Sequence, residues 1–294
     1  MKGEVVYLYA FDVANEIVTP RVREILSAKP FPFEIRMDRT LPKDMPLYKP
    51  LAIEPPALGA RLFGQTVQPL IRIYDVGVVT VMIRVPFAAE ALSELVGHHH
   101  PVLEDGRNLD LMAQDLCKGV CDSLRSFMIG FAETLLPPEA YTVFCFTDLG
   151  SERDTGVWLA EQRRAVAGLL TETPAERLSE SQVAEVLRIQ RSFEKTDLAV
   201  IDWDAALVAD LTGYVDDVLY ALELANLQLE EFRVMDQRLD RYLERAYRDL
   251  DRPRKSWFGR ASTSLRRLRR LRMDLTKLAD EISHITKFFG DWYL

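Results

Sequence analysis

The chain has 294 residues, 48% apolar and 10% aromatic, with 37 Lys and Arg against 45 Asp and Glu for a net charge of −8. That composition supports one large or two ordinary packed domains and excludes a disordered chain. The acidic balance argues against nucleic-acid binding by the molecule as a whole, but not by a local patch.

Along the chain, the β-branched and aromatic run Val5 to Phe11 predicts a strand. A helix opened by Pro20 follows, with Val22, Ile25 and Leu26 on one face. Residues 29–58 are rich in proline and read as edge strand or extended loop. Ile71 to Tyr74 and Val78 to Val85 flank Asp75-Val76-Gly77, a hairpin whose glycine supplies the turn. Helices are predicted at about 87–96 and 108–130. A buried strand follows at Tyr141 to Phe146, a helix at about 157–170, and a capped helix from Ser179. Leu198 to Val208 reads as extended chain. Residues 1–210 are therefore expected to form an α+β domain, a mixed or antiparallel sheet covered by helices, with a ferredoxin-like arrangement as one candidate.

After Asp210 the pattern changes. Val215, Val218, Leu222, Ala225, Leu229, Phe232, Asp236, Leu239, Leu243, Ala246 and Leu250 follow a 3,4 spacing. Leu268, Leu271, Leu275, Leu278, Ile282, Ile285, Phe289 and Trp292 repeat it. Such spacing marks a helix seam facing a partner helix. Residues 211–294 are thus predicted to form a long antiparallel, coiled-coil-like helical hairpin with a basic turn at 252–260, broken by Asp251, Pro253 and Gly259. Its exposed seam is expected to meet a second subunit. Asp236 is the polar position in that seam, either fixing register or turned to solvent while Met235 packs.

Arg252 to Arg272 carries nine basic residues and no acid. Arg252, Arg254, Lys255 and Arg260, with Trp257 and Phe258 among them, form the expected partner-binding tip, suited to phosphate oxygens, stacked bases or a lipid interface. Arg266, Arg267, Arg269, Arg270 and Arg272 either contribute to that surface or pair with the facing acids Asp240, Glu244 and Asp249.

Other clusters read as structural before functional. His98-His99-His100 and the Cys117/Cys121 pair hold zinc-type ligands without a closed structural spacing, so no metal is assigned. Asp202 and Asp204 would share one strand face with Trp203 on the other. The chain has no Gly-x-x-x-x-Gly-Lys, Gly-x-Gly-x-x-Gly, Gly-x-Ser-x-Gly or His-Glu-x-x-His. No catalytic residue, cofactor or small-molecule substrate is nominated. Three cysteines without a disulfide-framework spacing point to a reducing compartment, and no leader or long apolar run is seen. The expected location is cytoplasmic, with membrane association if the natural chain continues beyond Leu294.

The segment Asp197 to Leu207 followed by a long helix, and Ala225-Asn226-Leu227-Gln228-Leu229-Glu230 leading to Leu250-Asp251, Pro253 and Trp257, resembles the "required for meiotic nuclear division" family and its bacterial relatives. That resemblance implies an α+β domain, a helical hairpin and a C-terminal membrane anchor, with a supporting role in organelle translation for the mitochondrial members. This chain lacks the terminal anchor. The functional expectation is a non-enzymatic scaffold that forms a homo-oligomer through its hairpin. Its basic tip would contact RNA, a ribonucleoprotein or an anionic membrane surface. An α/β domain followed by stalk helices also looks like the cytoplasmic part of a CorA-type magnesium channel, but no Gly-Met-Asn signature is present. An enzyme within the first 210 residues is the third reading.

Overall fold

The computed structural model describes residues 1–19, 50–55, 59–132, 135–211 and 215–250, with single positions 269, 272, 273 and 276. The strands are β1 (Lys2–Asp12), β2 (Glu16–Ile17), β3 (Leu51–Ile53), β4 (Arg61–Leu62), β5 (Gln65–Thr66), β6 (Pro69–Ile73), β7 (Val78–Ala88), β8 (Met128–Ile129), β9 (Glu139–Asp148), β10 (Gln190–Arg191), β11 (Asp197–Ile201) and β12 (Ala205–Asp210). The α-helices are α1 (Leu109–Leu124), α2 (Thr155–Leu170), α3 (Glu180–Val186) and α4 (Val215–Leu250), with a 3-10 segment at Leu92–His98.

Eight strands form one sheet in the order β10-β11-β12-β9-β1-β7-β6-β3. β1 lies at its centre, antiparallel to β7 with Leu8 opposite Met82, and antiparallel to β9 with Val6 opposite Val143. β12 joins β9 in parallel, and the other pairs are antiparallel. The expected hairpin is β6–β7. Gly77 turns it at φ 92°, where an added Cβ would lie 2.1 Å from the Ala14 carbonyl oxygen. The Ser179 start is also borne out, since its hydroxyl accepts from the Gln182 amide at 3.2 Å.

Both sheet faces are covered, which is why β1 reads as a continuous apolar run instead of an alternation. Val5, Tyr7, Tyr9 and Phe11 point to one side and pack with Leu109, Cys117, Phe144 and Trp158 beneath α1 and α2. Val6 and Leu8 point to the other side, where Val215, Val218, Leu219 and Leu222 of α4 cover them. Ala10, Tyr74 and Val78 extend that second core to Tyr220, Leu224 and Leu227.

These contacts overturn the expected sheet domain followed by a separate coiled-coil-like hairpin. The first half of α4 is the cover of the sheet's second face, and no two-helix hairpin occurs among the described residues. The 3,4 apolar spacing was real, but its partner at Val215, Val218 and Leu222 is a sheet. A ferredoxin-like arrangement is likewise replaced by the eight-stranded order. The strand β7 runs to Ala88, where a helix was expected, because its end pairs with Lys2 to Glu4. The α1 helix stops at Leu124, short of the predicted 130. Asp202-Trp203-Asp204 is the turn between β11 and β12, not strand. The Pro20 helix and most of the proline-rich segment lie outside the described residues.

Candidate functional site: the sheet face beneath the long helix

Three acids stand seven residues apart on α4, and each meets a cation. Asp216 accepts from Arg84, which also bonds Glu4 at 3.1 Å. Glu223 accepts from Arg72 of β6 through one oxygen and from the Thr80 hydroxyl of β7 through the other. Glu230 lies 2.7 Å from Arg233, which also reaches Glu139 at 3.5 Å. Arg238 closes the row on Asp12 at 3.4 Å and on the Asn15 side-chain oxygen at 3.2 Å. The Arg72–Glu223 pair is deeply buried, and such a pair holds its geometry only because both partners are present.

Burial acts on these carboxyls against the cations. It pushes Asp12 up to about 6 although Arg238 pulls the other way. It pushes Glu230 up to about 7 against Arg233. Glu4 and Glu139 are raised for the same first reason. The face therefore holds carboxyls that bind protons more tightly than in water, close to the arginines that tether them.

At the β10–β11–β12 edge of this face, a cavity of about 440 Å³ opens between α3, the β11–β12 turn and α4. Ile189, Ile201, Leu222 and Leu229 supply apolar wall, and Tyr141, Asp202 and Asn226 supply polar atoms. Trp203 stands at its mouth, 86% exposed.

Residues 2–216 match the family described as "Uncharacterized protein MJ0711, N-terminal domain". The chain belongs to that family. It is 23% identical over 198 residues to "Uncharacterized protein MJ0711" of Methanocaldococcus jannaschii, covering 65% of this chain. The chain spans 58% of that relative's length. No solved structure matches. The match shows a family of uncharacterized proteins and does not show the "required for meiotic nuclear division" name. The family match takes in the whole sheet and ends two residues into α4.

The residues singled out from sequence fall elsewhere. Arg252, Arg254, Lys255, Trp257, Phe258, Arg260, Arg266, Arg267 and Arg270 lie outside the described residues. Arg269 and Arg272 are helical and exposed. Asp236 is exposed, the solvent-facing alternative, with Met235 half-buried beside it. His99 is half-buried with its Nε2 2.7 Å from the Leu169 carbonyl oxygen, and His100 pairs with Glu172 at 2.7 Å. Cys117 and Cys121 are buried with sulfurs 4.0 Å apart. Among the described residues no group of three metal-ligating side chains comes together, and no helix is long and apolar enough to cross a membrane.

Sequence reasoning missed Arg72, Glu223, Asp12 and Glu230. The available signal was the seven-residue spacing of Asp216, Glu223 and Glu230. That stripe lies one residue, about 100°, around the helix from the apolar seam, so its acids read as solvent-facing.

Proposed function

We propose that this chain is a non-catalytic interaction protein in which the sheet domain anchors α4 and the basic segment 252–260 contacts a phosphate-bearing partner. The observation that supports it is the change in surface along one helix. Leu219 to Leu224 and Asn226 to Gln228 are buried against the domain, whereas Asp236, Gln237, Asp240, Arg241, Glu244 and Arg248 are exposed. The twelve residues from Leu239 to Leu250 advance about 18 Å beyond the Arg238–Asp12 contact. That length leads, in sequence, directly to Arg252, Arg254, Lys255 and Arg260. Leu229 and Leu243 are exposed and fourteen residues apart on one side of the helix, which favours self-association into a homo-oligomer through that side.

The likeness of residues 197–207 to the "required for meiotic nuclear division" family favours RNA or a ribonucleoprotein over an anionic membrane surface. The test replaces Arg254, Lys255 and Arg260 with Ala and titrates both proteins against RNA and anionic vesicles at two salt concentrations. The expected result is salt-dependent RNA binding by the wild type that falls at least about tenfold in the triple variant. Vesicle binding without RNA binding would move the partner to a membrane surface. Wild-type protein that binds neither in a salt-dependent way would refute the anionic contact.

A further inference from the structure

We infer that the groove between α3, the β11–β12 turn and α4 binds a small organic cation with an apolar body. This does not depend on the basic segment or on self-association. The cavity, about 440 Å³, falls within the range that accommodates small ligands.

Its polar equipment is weighted toward acceptors, with Gln182 and Arg188 among the side chains that can donate. Asn226 is 5% exposed and donates its Nδ2 to the Glu139 carbonyl oxygen at 3.0 Å. Because that partner can only accept, the amide orientation is fixed, and Oδ1 is left as a buried acceptor without a hydrogen-bond donor. A buried amide oxygen in that state is destabilising until a donor reaches it. Tyr141 donates its hydroxyl proton to the Asp202 carbonyl oxygen at 2.8 Å, so its lone pairs are also acceptors. Asp202 adds a carboxylate to the lining, and Asp204 and Glu185 act on it as neighbouring negative charges. The cation in the lining, Arg188, is tied to Glu185 at 3.1 Å.

A ligand therefore meets acceptors and the Asp202 carboxylate, beside the paired Glu185 and Arg188, and Val186, Ile189, Leu222 and Leu229 along the walls. Trp203 explains the mouth. An indole left 86% in water at a turn tip gains burial only when something lies against it, and its ring face attracts a cation. An anion would face the Asp202 carboxylate, while Arg188, the cation in the lining, is already paired with Glu185. A protonated amine on an aromatic or aliphatic body offers a donor to the orphaned oxygen, a counter-charge to Asp202 and a cation to the Trp203 ring.

Three probes share one body and differ in the head group: 4-phenylbutylamine, 4-phenylbutanol and 4-phenylbutyrate, titrated into the full chain by calorimetry and ligand-observed NMR. The amine should bind with a Kd below about 1 mM and at least about tenfold tighter than the alcohol, with the acid weaker still. Asn226→Leu and Asp202→Asn should each weaken the amine at least about fivefold and leave the alcohol nearly unchanged. Trp203→Ala changes only an exposed side chain, so it tests the groove even if the Asn226 variant folds poorly. It should weaken both amine and alcohol. No binding of any probe at about 5 mM would overturn the inference. So would an acid or alcohol that binds as tightly as the amine, or an amine affinity indifferent to both Asp202→Asn and Trp203→Ala.

Discussion

On the face covered by α1 and α2, Tyr7, Phe11, Ile71 and Phe144 meet Leu109, Cys117 and Trp158, and hydroxyls are bonded at the rim, as Tyr7 to the His98 carbonyl and Tyr9 to Asp110. On the face covered by α4, Val6, Leu8 and Met82 share the interior with Arg72, Thr80, Glu223, Asp12 and Glu230. One side of the sheet is held chiefly by packing, which tolerates substitution that conserves volume. The other specifies its cover, because an arginine buried in β6 accepts only a helix that brings an acid to the matching turn. The difference explains how a helix with exposed charge over its second half is held in one register over its first.

Two large losses would sharpen this contrast. Phe144→Ala should cost about 3–5 kcal/mol by opening a cavity in the packed face, read from urea midpoints. Glu223→Ala should cost a similar amount, about 3–5 kcal/mol, for another reason: it removes the carboxylate that the buried Arg72 pairs with. The two are told apart by rescue. The double variant Arg72→Met with Glu223→Leu should return to within about 1 kcal/mol of wild type, since a well-packed apolar pair can replace a buried ion pair. If the double variant is as unstable as the single one, the polar lock is not what holds α4.

The next effect belongs to pH. The folded chain holds Asp12 and Glu230 protonated up to about 6 and about 7, above the ordinary values of 3.8 and 4.5. Between pH about 4 and about 7 the unfolded chain has already released these protons and the folded chain has not. Stability should therefore fall as pH rises through that window and level off above it. Denaturation of Asp12→Asn and Glu230→Gln at both ends of the window should show a flatter dependence than wild type. The smallest effect is on the apolar side, where Asp154 caps α2 by accepting from the Gly156 and Val157 amides. Asp154→Ala should lower the stability slightly, with no pH signature above pH about 5.

The sequence made some of this readable and hid the rest for physical reasons. The β1 run, the Gly77 turn and the Ser179 cap rest on local chemistry, and all three are where it put them. The sheet order is not local: β9 pairs with β12 across more than fifty residues, and nothing near either strand records it. The α4 periodicity was visible, but a 3,4 stripe does not state whether a sheet or a helix will cover it. Its heptad acids looked solvated because their partners, Arg72 and Arg84, are more than a hundred residues away. Of the groove, the sequence offers Asp202 as a strand-face pair with Asp204, with Trp203 on the other face. Asn226, the residue that gives the groove its demand for a donor, carried no signal of its own.

Native-state amide hydrogen exchange, resolved to single helices, tests most directly whether α4 belongs to the sheet. Amides from Val218 to Gln228 should exchange as slowly as those of β1, through global unfolding, while those beyond Asp240 exchange much faster. An α4 whose first half exchanges freely while β1 stays protected would contradict the account, because the helix would then be an appendage and the sheet's second face would need another cover.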